Sequence, residues 1–463
     1  GKPVLSYTPR KDTSYDKELP QIVDRPKRPN EIENNEECYL VGMRNMQFFN
    51  PYVDPTDYFK EVLRRDPYDI RSNTAMGMWL RDRGDYENAK MHLRRAIKRQ
   101  TNDYTRPKDC EALYNLGLIL KEEGQIEPAL DTLYRAMWSY EFNSAANFQL
   151  AQMYVKMGDI PMALERLGEA IKYNGNNFNA LGLKATLLRL AGDKDGAVAC
   201  LKTILDTDPV NAYATYEQKL LGQEDYFAAL MRDVPESYLE LAIAYWHNGF
   251  MDIATDLLKD IDSRVAYPSV KMYLGYFADM AGNKDEAKKW YGDALRLSTD
   301  YCNMFRLESI KVLDKAAEYC PDNYKINYYL GNLFYDKQPD RAMKEWYRTV
   351  ELNPACALAW RNLGWGNWLH VRNFDEAIRC YRKAIELDPS KAIFLEEHDQ
   401  LCEEAKVPVQ ERYDMLKSHH KTAEKRYTPL ANEVITGAFC GDYDYVLGLL
   451  RDCYFPTREG VAN

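Results

Sequence analysis

Apolar residues recur along this chain at spacings of three and four, the spacing of a helix face, and the segments that carry them repeat with a period of about 34 residues. From Ser144 to Asn177 the pattern is plain. Ala151 is at the eighth position, Tyr154 at the eleventh, Gly158 at the turn, Ala163 at the twentieth and Ala170 at the twenty-seventh. Small residues at the eighth, twentieth and twenty-seventh positions let two helices approach closely, and the larger apolar residues between them fill the gap. The glycine supplies a left-handed residue that ends the first helix. The spacing predicts a helix-turn-helix unit.

The same frame fits Ile70 to Asp103 through Gly77, Gly84, Ala89 and Ala96, and Cys110 to Asn143 through Gly117, Gly124, Ala129 and Ala136. It continues over Phe178 to Asn211, where Pro209 marks a helix stop, and over Pro235 to Pro268 and Pro268 to Tyr301. Tyr324 to Pro354 is one residue short around Gln338 and Pro339. The following unit spells W-x-x-L-G at Trp360, Leu363 and Gly364, continues through Ala377, Tyr381, Ala384 and Pro389, and has a turn one residue too long.

Irregular pieces interrupt the array. Ala212 to Val234 has room for two short helices only, and Cys302 to Asn323 offers one helix that stops at Pro321; such units bend or re-aim a solenoid. An early unit with Gly42, Phe59 and Pro67 is slipped by one residue. The expected divisions are an extended, proline-rich arm over 1–34, a capping repeat over 35–69, a regular block over 70–211, a degenerate repeat over 212–234, a second block over 235–390, and less regular helices over 391–463.

These positions together resemble the tetratricopeptide repeat (TPR), over about 70 to 422. The resemblance implies an all-α, right-handed superhelix of helix-turn-helix units, with degenerate repeats, and it says much more about fold than about function. A narrower likeness lies in LGLILKEEGQIEPALDTLYRAMWS, in the opening KPVLSYTPR and in the closing LLRDCYFPTREG. These are similar to the TPR region of large bacterial proteins whose amino-terminal part is an uncharacterised β-sandwich resembling sugar-processing folds. It implies that Gly1 to Arg10 leads out of such a domain. The family's closing segment contains W-E-G-G, whereas this chain has Pro456, Thr457, Arg458, Glu459 and Gly460, a departure at the tryptophan position. The Gly start and the abrupt end at Thr457 to Asn463 are read as those of a piece of something longer, in which case a signal peptide could lie upstream.

Charge and composition narrow the partners. Among 463 residues, 61 Lys and Arg stand against 71 Asp and Glu, a net charge of −10, which disfavours nucleic acid and anionic membranes. No stretch approaches the roughly 18 apolar residues of a membrane helix. Ten cysteines are scattered without CxxC or paired spacing, so they are expected to be reduced, buried packing residues of a cytoplasmic protein.

In a TPR, positions 2, 5, 9, 12 and 13 of each first helix share the inner face. Here that face carries Tyr114, Phe148, Trp246, Tyr276, Tyr328, Tyr335, Trp365 and Trp368, interleaved with Arg71, Arg81, Lys121, Gln152, Lys156, Arg189, His247, Lys325, Asn332 and Arg361. Rings give contact area at low entropic cost and the polar groups give direction, the composition of a recognition surface; tight packing between repeats explains the same rings. Trp365 and Trp368, with Tyr328, Tyr335 and Arg361, are expected to form one aromatic and basic wall, while Trp360 is assigned to contact between helices. Asn332 and Asn362 are fragments of a carboxylate-clamp pattern, incomplete because Tyr328 stands at the first lysine position.

Glu396, Glu397, His398 and Asp399 with His419 and His420 are the main concentration of His and carboxylates. Their spacing matches no metal motif, and a solvated charged face is expected. No nucleophile elbow, P-loop or dinucleotide motif is present, so no catalytic residue, cofactor or metal is assigned. The expected function is a protein-interaction or scaffold module that holds a protein or peptide, or its own upstream domain, in the groove. The alternative is an accessory carbohydrate-binding region.

Overall fold

The computed structural model describes residues 7–8, 26–48, 53–223 and 226–455. Residues 1–6 and 9–25 of the expected arm, and the closing segment Pro456 to Gly460, lie outside the described residues. Among the described residues there are 26 α-helices and no strand.

Helices start and stop where local chemistry dictates. The Asp159 carboxylate accepts from the Met162 amide at the start of Ile160–Tyr173, and Asn177 does the same for Ala180 at the start of Phe178–Leu190. Just before them, Tyr140–Met157 ends at Gly158, whose φ of 81° is open to glycine at little cost and costly for residues with a Cβ.

Successive helices pack as antiparallel pairs because small residues face large ones across each pair. Ala151 and Ala163 are fully buried in one such seam. In the pair Tyr324–Phe334 and Pro339–Leu352, a Cβ on Gly331 would sit 2.3 Å from Trp346 Cδ1, so the indole occupies the space a side chain would need. The slipped first unit, Asn35–Gln47 with Pro55–Arg65, has the same device in Gly42 against Phe59. Onto it docks the last part of the arm: Ile32 is 2% exposed and the Tyr58 hydroxyl donates to the Lys27 carbonyl at 2.9 Å.

Each irregularity in the sequence has a structural form. The residues 212–234 hold the short helices Ala212–Leu220 and Phe227–Met231, and 302–323 hold the single helix Glu308–Tyr319. The extra residue after Ala357–Gly366 is taken up as a π-helical turn, Asn367–Val371, followed by Arg372 at φ 62°. At the carboxy-terminal end Tyr427–Phe439 and Tyr443–Asp452 form one more hairpin around Gly441.

The array closes on itself. The Gln338 side-chain amide donates to the Arg83 carbonyl at 2.9 Å, and Gly84 lies against Ile310 and Leu307. Lys311 Nζ donates to the Glu122 carbonyl at 2.8 Å and pairs with its carboxylate at 2.5 Å. Gln152 Nε2 donates to Asn248 Oδ1 at 2.7 Å. Units from opposite sides of the turn therefore touch, and the space between first helices narrows to a half-open cavity over this part of the chain.

All ten cysteines are free, as expected from their spacing. Burial is less uniform: Cys38, Cys110, Cys302, Cys380 and Cys402 are buried, while the other five are partly exposed. No helix among the described residues is long and apolar enough to cross a membrane.

Candidate functional site

The inner-face residues fall into three groups. In the closed part, Phe148 lines a cavity of about 390 Å³ with Arg81, Lys121, Gln152, Lys156 and His247, so six inner-face residues converge there. Tyr114 stands beside it, stacked on Phe142 with ring centroids 5.3 Å apart. Trp246 and Tyr276 form the second group. Their centroids are 5.4 Å apart, edge to face, and Trp246 also meets Tyr273 and Phe277. Tyr276 is buried, so this pair packs repeat against repeat.

The third group lies on Tyr324–Phe334 and Ala357–Gly366 with its π turn. Trp365 and Trp368 meet edge to face with centroids 5.7 Å apart, and the Arg361 guanidinium lies 5.0 Å from the Trp365 ring centre. Asn332 Oδ1 accepts from Trp346 Nε1 at 3.0 Å and from Asn362 Nδ2 at 2.9 Å. The two asparagines are thus bonded to each other across adjacent repeats. Tyr335 leans on Trp346 with centroids 5.2 Å apart.

Two expectations for this wall need correction. It is aromatic but not freely basic: Arg361 forms a two-point ion pair with Glu397, which also accepts from the Tyr381 hydroxyl at 3.1 Å. Trp368 and Tyr328 are 7% and 8% exposed, and Trp368 Nε1 donates to Glu404 at 2.7 Å, so both are committed to packing. Trp365, Tyr335, Asn332 and Arg361 remain partly exposed. Trp360 is partly exposed as well, its ring N–H donating to the Pro354 carbonyl at 2.8 Å under Arg379, and so is less buried than its motif position implied.

The solvated charged face expected at 396–399 is overturned. Glu397, His398 and Asp399 are 5%, 3% and 2% exposed. Asp399 accepts from Arg412 at 2.8 and 2.9 Å and from Asn432 at 2.7 Å. His398 packs against Cys402, and burial pushes its pKa down to about 4, helped by Arg382. These groups were read as exposed because charge was taken to mean solvent. The helix Ala392–Glu404 instead has neighbours on both sides, and each buried charge has found a partner.

His419 and His420 do not face a common ion. His420 instead gathers with Glu424 and Cys453, whose ligand atoms all lie within 4.8 Å of one another, and its Nδ1 lies 3.0 Å from Glu433. A histidine, a carboxylate and a thiol are a donor set suited to zinc, and a carboxylate behind the second ring nitrogen orients such a ligand. No sequence spacing announces it, because Cys453 arrives from a different helix.

Residues 69–141, 148–216 and 371–391 match tetratricopeptide-repeat family models. The Arabidopsis thaliana protein CTR9 homolog is 24% identical over 317 residues, which is 57% of this chain; the match spans 29% of that protein's length. A tetratricopeptide repeat protein from Parabacteroides merdae is 19% identical, with a TM-score of 0.35, over 54% of this chain and 98% of its own. A solved structure of Naa15/Naa10 bound to HypK-THB is 13% identical, with a TM-score of 0.28, over 92% of this chain and 69% of its own. Three matched stretches, turn glycines and paired helices together describe an all-helical solenoid of the tetratricopeptide-repeat type.

Proposed function

We propose that this solenoid is a protein-interaction scaffold whose partner, a protein or peptide segment, docks on the wall formed by Tyr335, Arg361 and Trp365. The observation that carries it is the contrast within that wall. Trp368 and Tyr328 are buried, whereas Trp365 keeps an accessible ring beside a guanidinium already neutralised by Glu397. A rigid ring with nearby amides recognises a chain segment by apolar contact and directed hydrogen bonds. The partner's source, including an upstream domain of the same protein, is set by which segment fits that ring. Tetratricopeptide arrays as a class serve such interactions.

The test is a photo-crosslinking amino acid at position 365, with crosslinked partners identified by mass spectrometry and re-measured with purified components. Loss of binding in a folded Trp365→Ala, Tyr335→Ala double variant supports this wall. Unchanged binding removes it. Capture of oligosaccharides on a glycan array, abolished by the same variant, would instead establish the carbohydrate alternative, in which the ring stacks on sugar.

A further inference from the structure

The cavity where the array meets itself is lined by charged and amide side chains as well as by core residues such as Ile119 and Tyr86. Lys121 extends from Glu111–Glu122 into its wall and donates to Gln149 Oε1 at 2.6 Å and to Gln152 Oε1. Neither acceptor carries charge. Lys156, from Tyr140–Met157, opens onto the same space, and among the described residues it has no ion-pair partner. Two of the carboxylates lining the cavity are engaged, Glu122 with Lys311 and Asp82 with Arg81, while Glu308 lies 3.5 Å from His247, whose pKa burial lowers to about 4 so that it offers no charge at pH 7.

A polar chain leads away from Lys121 into the protein. Gln152 bonds Asn248, Asn248 donates to the Tyr213 hydroxyl at 3.2 Å, and Tyr213 meets Thr186 at 2.8 Å. Thr186 in turn bonds the fully buried Glu217, which Arg189 and Tyr245 hold from the other side. Such a chain fixes the rotamers of Gln152 and Asn248 and keeps the cavity wall rigid. Phe148 and Leu118 give the wall an apolar patch.

Lys121 and Lys156 face one cavity with no ion pair of their own, although Asp82, Glu122 and Glu308 also line it and Glu122 acts on both from a distance; burying ammonium groups on these terms is costly. We propose that this cavity binds a small molecule bearing a phosphate or carboxylate group, seated between Lys121 and Lys156 with its uncharged part against Phe148. The volume is that of a small-metabolite site and too small for a folded partner. The protein around Lys121 has already pushed its pKa down to about 7, burial being the main cause and Lys156 a second one, which is the state an arriving anion reverses. The cavity is distinct from the Trp365 wall, so either can fail without the other.

The experiment measures thermal unfolding of the full chain at pH 7 and fixed ionic strength with inorganic phosphate, citrate or chloride. The expected result is a saturable rise in Tm with phosphate, citrate or both, absent with chloride, and weakened at least tenfold in midpoint concentration by Lys121→Gln with Lys156→Gln. Phosphate alone marks a phosphoryl ligand and citrate alone a carboxylate one. No saturable shift in wild type, or an equal shift in the double variant, overturns the proposal. Should the double variant not fold, acetic anhydride labelling of wild type decides: protection of Lys121 and Lys156 by the active anion supports the site, and unchanged labelling overturns it.

Discussion

The side-chain amide of Gln338 donates to the main-chain carbonyl of Arg83, 255 positions earlier, at 2.9 Å. Ile310 and Lys311 sit in the same junction, against Gly84 and Glu122. Replacing Ile310 with Asp and Lys311 with Glu puts two acids into that junction beside Glu122. The expected outcome is a larger radius of gyration by X-ray scattering with unchanged helical circular dichroism, because the helix pairs do not depend on the junction. An unchanged radius would show that the closure does not rest on these contacts.

Removing Arg361 from its pair leaves the Glu397 carboxylate buried without a counter-charge. Glu397 is 5% exposed, so Arg361→Ala is expected to cost about 3 to 5 kcal/mol in urea unfolding. Arg361→Met combined with Glu397→Met is expected to recover most of that loss, since neither charge then remains. A double variant as unstable as the single one would contradict this account.

Stability is expected to fall as pH drops from about 6.5 toward 4, and His398 is one identifiable source. Its folded pKa is lowered to about 4 while the unfolded chain titrates near 6.5, so between these values the unfolded state binds the extra proton. The contribution is complete above pH 6.5, and by the size of the shift it is at most about 3 kcal/mol. The groups facing His398 are Asp399, Arg382, His419 and the Cys402 thiol. His398→Phe should flatten the pH dependence of the urea midpoint between pH 7 and 5; an unaltered slope would assign it elsewhere.

Trp365, Trp368 and Trp360 should separate in a stability series. Trp368→Ala removes a buried ring and a bond to Glu404 and should cost about 3 to 5 kcal/mol. Trp360→Ala and Trp365→Ala each remove a partly exposed ring and should cost clearly less. Equal losses for all three would mean that Trp365 packs as firmly as Trp368, and the docking wall would lose its accessible ring.

Gly331→Ala is a compact test of the helix-pair geometry. The added methyl meets the Trp346 indole at 2.3 Å, and relieving that overlap should cost about 1 to 3 kcal/mol. A melting temperature equal to wild type would place the two helices further apart than they are here.

Much of the fold was legible because its information is local in sequence. Gly158, Ala151 and Ala163 recur at fixed offsets, since each helix pair solves the same packing problem with the same small residues. Even the departures from the period could be counted, and the extra residue before Phe374 became the π turn at Asn367–Val371.

The candidate sites were legible only as inner-face positions. Helical spacing places Trp365 and Trp368 on one face, yet it cannot say that the next helix, Ala392–Glu404, covers Trp368 and neutralises Arg361 through Glu397. The same limit led to Glu397, His398 and Asp399 being taken as solvated.

By itself the sequence determined the helices, their pairing and the repeat frame, because those follow from periodicity and from side-chain size within about 34 residues. Only the tertiary structure decided where the chain returns to itself. The contacts that close it, Gln338 with Arg83 and Lys311 with Glu122, join residues whose separation carries no periodic signal. Small rotations at each degenerate unit add up along the array, so the final placement of Lys121 and Lys156 around one cavity is a property of the sum and of no single repeat.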